Sequence, residues 1–226
     1  MEIIYEDNHL IAVNKNCHEI VQGDKTGDSP LTEILQAFLK EKYAKPIRAY
    51  LNILHRIDRP VTGIVVFAKS SKALVRMNKK FREGEIKKTY WAIVKNPPPE
   101  QEQTLIHWII RYEKQNKSFA CDTKKPNTKK AVLHYRIISR SDNYYLLEID
   151  LETGRHHQIR CQLARIGCPV KGDLKYGAEH SNPDGGICLH ARSLAFTHPV
   201  TKEYITLVAN PPEDALWKAL TSSIQI

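Results

Sequence analysis

Five consecutive apolar residues, Ile64-Val65-Val66-Phe67-Ala68, follow directly on Gly63. A run this short and this unbroken predicts a buried strand. The segment leading into it, His55-Arg56-Ile57-Asp58-Arg59-Pro60-Val61-Thr62, sets one carboxylate between two arginines. A carboxylate flanked by fixed positive charge stays ionised at neutral pH, so Asp58 can serve as a nucleophile or a base. The plainer alternative is a turn held by a structural Arg–Asp pair ahead of the strand.

The rest of the chain supplies elements around this strand. Ile3 to Tyr5 and Leu10 to Asn14 are short apolar strands about the turn residues Asp7-Asn8, a hairpin pattern. Residues 22–28 read as a polar, Gly-containing loop. Ser29-Pro30 offers a cap and a first-turn proline for a helix whose buried stripe would be Leu31, Ile34, Leu35, Phe38 and Leu39. Residues 43–49 form a basic loop. Ser70 and Ser71 can cap a second helix with Leu74, Met77 and Phe81 inside and Gly84 at its end. From Lys87 the pattern changes to strands, near 89–94, 105–112, 131–139 and 144–151, rich in β-branched and aromatic residues. The stretch 113–130 reads as a long basic hairpin tip carrying Lys114, Lys117, Lys124, Lys125, Lys129 and Lys130. Such a tip is either merely solvated or grips a phosphate backbone by releasing counterions. Thr153 can cap a third helix with Ile159, Leu163 and Ile166 inward and Gly167 stopping it. Residues 172–177 make a tight turn. Strands near 187–197 and 203–209 follow, and Pro211-Pro212 start a closing helix with Leu216, Trp217 and Leu220. The expected architecture is α+β, one mixed domain over 1–226 with a largely antiparallel central sheet flanked by helices.

Composition narrows the class. The 226 residues are 42% hydrophobic, which supports a folded core, and the net charge of +9 suits a polyanionic partner. Five cysteines, odd in number and without a CxxC pair, fit reduced thiols in a cytoplasm better than a disulfide framework. The N-terminus lacks the basic-then-apolar order of a signal peptide, and no apolar run reaches a membrane span. The expectation is a cytoplasmic chain with no membrane partner, a monomer being favoured.

Several motifs taken together resemble the RluA-type RNA pseudouridine synthases. Residues 55–69 resemble that family's HRLDRxTSGLLLFAK signature. The hairpin from Ile4 to Lys15 is similar to its opening, although Asn16-Cys17-His18-Glu19 departs from the turn that normally follows. Lys88-Thr89-Tyr90 resembles its KxY motif, residues 151–160 its LxTGRxHQIR motif, Gly172-Asp173-Leu174-Lys175-Tyr176-Gly177 its GDxxYG motif, and Leu189 to Pro199 its LHAxxLxFxHP motif. The family's extra N-terminal S4-like module is expected to be absent.

The resemblance implies isomerisation of uridine to pseudouridine in ribosomal or transfer RNA. That reaction breaks the bond from C1′ to N1, turns the uracil and rejoins it through C5. Nothing is oxidised and no group is lost, so neither cofactor nor metal is expected. Asp58 would attack C1′ or assist elimination to a glycal. Arg160 would pair with Asp58 and hold its pKa down. Tyr90 would stack on the uracil and accept or relay a proton. Arg56 would enter the place vacated by the flipped uridine, unless it serves only a local salt bridge. Leu189 and Ile159 would line the pocket, and Lys124, Lys125, Lys129 and Lys130 would meet RNA. Two other classes stay open: a non-catalytic RNA-binding protein on the same scaffold, and a metal-dependent nucleic-acid hydrolase using His55, His156, His157, His190 or His198. Against the second, neither HxxxH nor HExxH spacing occurs, and neighbouring histidines on a helix point about 100° apart.

Overall fold

A computed structural model describes residues 2–23, 27–44, 49–222 and 224, so the central parts of the loops expected at 22–28 and 43–49 lie outside the described residues. The chain is mixed α and β with largely antiparallel strands, four α-helices and eleven strands among the described residues. It divides into two compact units: Met1–Ile86 with Ala191–Asn210, and Lys87–His190 with Pro211–Ile226.

In the first unit, β1 (Glu2–Glu6) and β2 (Leu10–Lys15) form the expected hairpin. Its turn is closed by Asp7, whose Oδ1 accepts from the backbone N–H groups of His9 and Leu10, each at 2.7 Å. Next to β2 runs β4 (Thr62–Ala68), with the two-residue β3 (Asn52–Ile53) also pairing with β4. Beside β4 lies β10 (Leu189–Thr197), which pairs with β11 (Tyr204–Val208).

All seven residues of β4 are buried, because both faces of the strand are covered. Ile64, Val66 and Ala68 point into a core shared with Leu10, Ala12, Ala73, Met77 and Phe196. Val65 and Phe67 point the other way, onto Ile11, Val13, Leu31, Leu35 and Leu39. Period-two alternation thus sends one half of the apolar run to each of two helices. On one side is α1 (Leu31–Lys42), on the other α2 (Ser71–Glu83).

The second helix starts and stops as its sequence predicts. Ser70 caps it by accepting from Ala73 N, and Gly84 ends it with φ 75°. The first helix differs in two respects. Pro30, not Ser29, holds the cap position, and no side chain caps the helix; Leu31 N instead donates to Ile20 O at 2.8 Å. Ile34 also leaves the expected buried stripe and is 40% exposed, since a packed helix of this length needs only the i, i+4, i+8 row of Leu31, Leu35 and Leu39.

The second unit is an antiparallel sheet in the order β5 (Lys87–Val94), β9 (Tyr145–Leu151), β8 (Lys129–Arg140), β6 (Glu102–Tyr112), β7 (Lys117–Cys121). Strand β7 corrects the expectation of one long hairpin tip over 113–130. A single 3-10 turn at Glu113–Gln115 reverses the chain, and residues 117–121 return along β6. Only 122–128 remain as a turn, and Lys129 and Lys130 open β8.

The inner face of β6, β7 and β8 packs Ile109, Ala120 and Ala131 on α3 (Gln158–Arg165) through Cys161 and Ala164. Thr153 does not cap α3; its Oγ1 accepts from Val132 N at 2.9 Å and lies 2.7 Å from Gln158 Oε1. The N-cap is His157, in the left-handed region at φ 52°. The closing helix α4 (Ala215–Thr221) is capped by Asp214 rather than started by Pro211-Pro212, and it buries Trp217 and Leu220.

Gly63 is where the fold least tolerates a side chain. Its φ is 111°, and a Cβ there would overlap the backbone of Ala191. Gly63→Ala should therefore cost more than about 2 kcal/mol, from left-handed strain plus a backbone clash that only strand separation can relieve. Chemical denaturation of the variant checks this; a loss below about 0.5 kcal/mol would show that the two strands yield.

Candidate active site

The Asp58 segment is held from below by a lysine that the sequence reading passed over. Lys15 ends β2 and pairs in register with Gly63. Its side chain is fully buried, yet its ammonium group is satisfied. Nζ donates to the carbonyls of Asn16 at 2.8 Å, Glu19 at 2.9 Å and Arg59 at 2.9 Å. Three donors meet three acceptors, the full capacity of an ammonium. The cradle ties the loop at 16–19 to the residue that follows Asp58. A further turn contact, Val61 N to Asp58 O at 3.0 Å, shapes the segment from the other side.

Asp58 itself is half-buried. Arg56 is exposed and donates from Nη1 to Gln22 Oε1 at 3.0 Å. Arg59 pairs with Asp28 at 2.5 Å. His55 Nε2 accepts from Val66 N at 3.1 Å, which anchors the segment to β4.

Burial strips water from the Lys15 ammonium and brings its pKa down from 10.5 to about 8, while the charges of Glu19, Cys17 and Asp58 pull it back up.

The second unit joins two motifs far apart in sequence. Arg160, 5% exposed on α3, forks onto Asp173, 1% exposed. Its Nε lies 2.6 Å from Oδ2 and its Nη2 2.8 Å from Oδ1. The ring of Tyr176 lies 5.1 Å from the guanidinium carbon. The Tyr176 hydroxyl accepts from Ser118 N at 2.8 Å and bonds His157 Nδ1 at 2.9 Å, and burial raises its pKa. Ser118 Oγ in turn bonds His156 Nδ1 at 2.8 Å. A buried guanidinium needs a fixed carboxylate, so Asp173 sets the direction of Arg160. The motif at 172–177 was legible as a motif, but nothing in its spacing pointed to residue 160.

The histidine geometry differs from the helical argument made for it. His156 and His157 precede the first turn of α3, and their rings stack at 3.8 Å with 21° between planes. Among the described residues no group of three or more His, Cys, Asp or Glu could hold a metal ion. The five cysteines are free thiols.

Tyr90, Ile159 and Leu189 belong to the second unit together with Arg160, whereas Asp58 and Arg56 belong to the first. Tyr90 is half-buried on β5 opposite Ile149, and Ile159 and Leu189 are each 4% exposed. Of the four lysines expected to meet RNA, Lys124 and Lys125 stand on the turn after β7, and all four are exposed.

Comparisons with known proteins point to one family. Residues 9–165 match the model of the family described as RNA pseudouridylate synthase. The uncharacterised RNA pseudouridine synthase YlyB of Bacillus subtilis is 33% identical over 95% of this chain and 70% of its own. The tRNA pseudouridine synthase C of Vibrio cholerae is 31% identical over 98% of this chain and 95% of its own. An uncharacterised RNA pseudouridine synthase of Synechocystis is 32% identical over 94% of this chain, which spans only 66% of that relative's length. Two solved human structures share the fold. RNA Pseudouridylate Synthase Domain Containing 4 has a TM-score of 0.81 at 24% identity, over 96% of this chain and 90% of that one. Domain Containing 1 has a TM-score of 0.74 at 21% identity, over 96% and 86%.

The Lys15 cradle has a measurable pH signature. The folded pKa of about 8 lies below the unfolded value of 10.5. Between those values the unfolded chain keeps a proton that the folded chain has released, so this group's contribution to stability rises with pH across that window. The stability of wild type relative to Lys15→Met should therefore rise from about pH 7 to about pH 9.5 in urea unfolding. A gap that stays constant would mean that the buried amine does not titrate there.

Proposed function

The chain belongs to the RNA pseudouridylate synthase family, and we propose that it isomerises particular uridines in structured ribosomal or transfer RNA to pseudouridine, with Asp58 as the catalytic carboxylate. The observation that carries the assignment of Asp58 is the Lys15 cradle. A fully buried ammonium fixes the carbonyl next to Asp58, and so spends a costly buried charge on the backbone of this one turn.

In this reading the Asp58 carboxylate attacks C1′ as the uracil departs, or assists elimination to a glycal. The freed base turns and bonds to C1′ through C5 as the C1′–Asp58 bond breaks or, from the glycal, as the proton taken from C2′ returns there; the C5 proton then leaves, and N1 takes up a proton. Atoms are conserved throughout, so the step needs no redox partner. Tyr90 stacks on the uracil and accepts or relays a proton. Arg160, aimed by Asp173, supplies positive charge for the carboxylate. Ile159 and Leu189 give the base an apolar wall, and Arg56 fills the stack that the flipped uridine leaves. Lys124, Lys125, Lys129 and Lys130 hold phosphates. Transfer RNA is the first substrate to assay, because the Vibrio cholerae relative of similar length carries that activity in its name. A cytoplasmic monomer acting as one domain is the proposed working form; among the described residues, no helix is long and apolar enough to cross a membrane.

Asp58→Asn should abolish pseudouridine formation while leaving the thermal unfolding midpoint and RNA affinity close to wild type. Turnover near the wild-type rate would remove Asp58 from the chemistry.

Replacing Lys124, Lys125, Lys129 and Lys130 together by Ala should weaken RNA binding. It should also flatten the plot of log affinity against log salt by up to about one unit for each lysine that meets a phosphate. An unchanged slope would show that these lysines are only solvated.

A further inference from the structure

The outer face of the β6–β7 ribbon carries a stripe that catalysis does not use. Alternation turns Ile109 and Ala120 inward onto α3 and leaves Ile106, Trp108, Ile110 and Tyr112 on the opposite face. Across the ladder Ile110 faces Phe119, and Trp108 faces Cys121 on one side and Lys130 on the other. Ile106, Tyr112 and Phe119 are 52%, 49% and 39% exposed. The rings of Tyr112 and Phe119 meet edge to face, 5.3 Å apart at 85°. Between them and the turn at 122–128 lies a groove of about 520 Å³ that includes Ile110, Tyr112, Phe119, Cys121, Lys125 and Thr128.

Cations edge this surface. Lys124 Nζ stands 5.5 Å from the Trp108 ring centre and Lys117 Nζ 5.3 Å from that of Phe119. Lys114 lies on the 3-10 turn between the two strands, Lys125 on the turn after β7, and Lys130 on β8 opposite Trp108, whereas Asp122 is engaged by Arg165. Exposed rings among lysines complement a partner that offers flat π faces and repeated negative charge together. Unpaired RNA has both, because each unstacked base is a ring face and each linkage a phosphate.

We propose that the outer face of β6 and β7 is a stacking platform for one or two unpaired nucleobases of the RNA substrate. Tyr112, Phe119 and Trp108 supply the ring surfaces, and Lys117, Lys124 and Lys125 hold the adjacent phosphates. The identity of the partner rests on the RNA-modification reading above.

Tryptophan emission makes the platform observable. Of the three tryptophans, Trp91 and Trp217 are 3% and 2% exposed, while Trp108 is half-buried on the ribbon. The full chain is titrated with single-stranded oligouridylate and oligoadenylate of about six nucleotides. The expected result is saturable quenching that Trp108→Phe removes. The double variant Tyr112→Ala with Phe119→Ala should bind about tenfold or more weaker at fixed salt. Both positions are exposed, and circular dichroism verifies that the variant is folded.

Unchanged affinity in the folded double variant, or quenching that persists in Trp108→Phe, would overturn the proposal. So would quenching by anionic lipid vesicles but not by oligonucleotide, or a dimer abolished by the double variant with no oligonucleotide quenching. Pseudouridine formation is measured on the same preparation. Activity on RNA without the quenching sinks the platform alone; quenching without activity on any RNA sinks the functional reading alone.

Discussion

A strand that is apolar on both faces must be covered on both, and in the first unit everything else follows from that requirement. Strand β4 sends Ile64, Val66 and Ala68 towards α2 and Val65 and Phe67 towards α1. Burying five such side chains is worth on the order of 10 kcal/mol before chain entropy is charged against it. The same burial removes water from the backbone, so the peptide groups of the strand need partners, which the neighbouring strands and, at Val66 N, the His55 ring supply. Close approach on one side leaves no room for a Cβ at the strand's second residue, which is why Gly63 stands there.

Once the strand is fixed, the segment that enters it is fixed as well. His55 bonds the strand at Val66 N, and Lys15 holds the Arg59 carbonyl between them. Asp58 therefore projects from a turn pinned before and after it. In the second unit a guanidinium plays the corresponding part. Arg160 and Asp173 are both buried, and each makes the other's burial tolerable. In each unit a charge taken out of water is matched donor for acceptor. That restricts its geometry far more than an exposed ion pair could.

The sequence disclosed the parts that local chemistry decides. The buried strand, the Asp7 turn, the Ser70 cap, the Gly84 stop and the alternation of β5, β6, β8 and β9 were all legible from neighbouring residues, because each depends on contacts within a few positions. So were the motif positions now proposed for catalysis. Strand β7 was not legible. Its residues Lys117 to Cys121 are polar or small at alternate positions, and they read as a loop until their partners on β6 are known. The caps of α1, α3 and α4 were misplaced because a neighbouring chain segment or a different side chain reached the helix end first.

By itself, then, the sequence determined which apolar runs must leave water and which motifs stand out, since hydrophobic patterning and motif spacing are written in neighbouring residues. Tertiary structure alone decided what each buried charge meets. Lys15 and Arg59 are 44 positions apart and Arg160 and Asp173 are 13 apart, yet each pair is joined within 3 Å. Such pairings follow from strand register and helix placement, which no local pattern encodes. In a medium of low dielectric they are the contacts that fix the direction of a charged side chain.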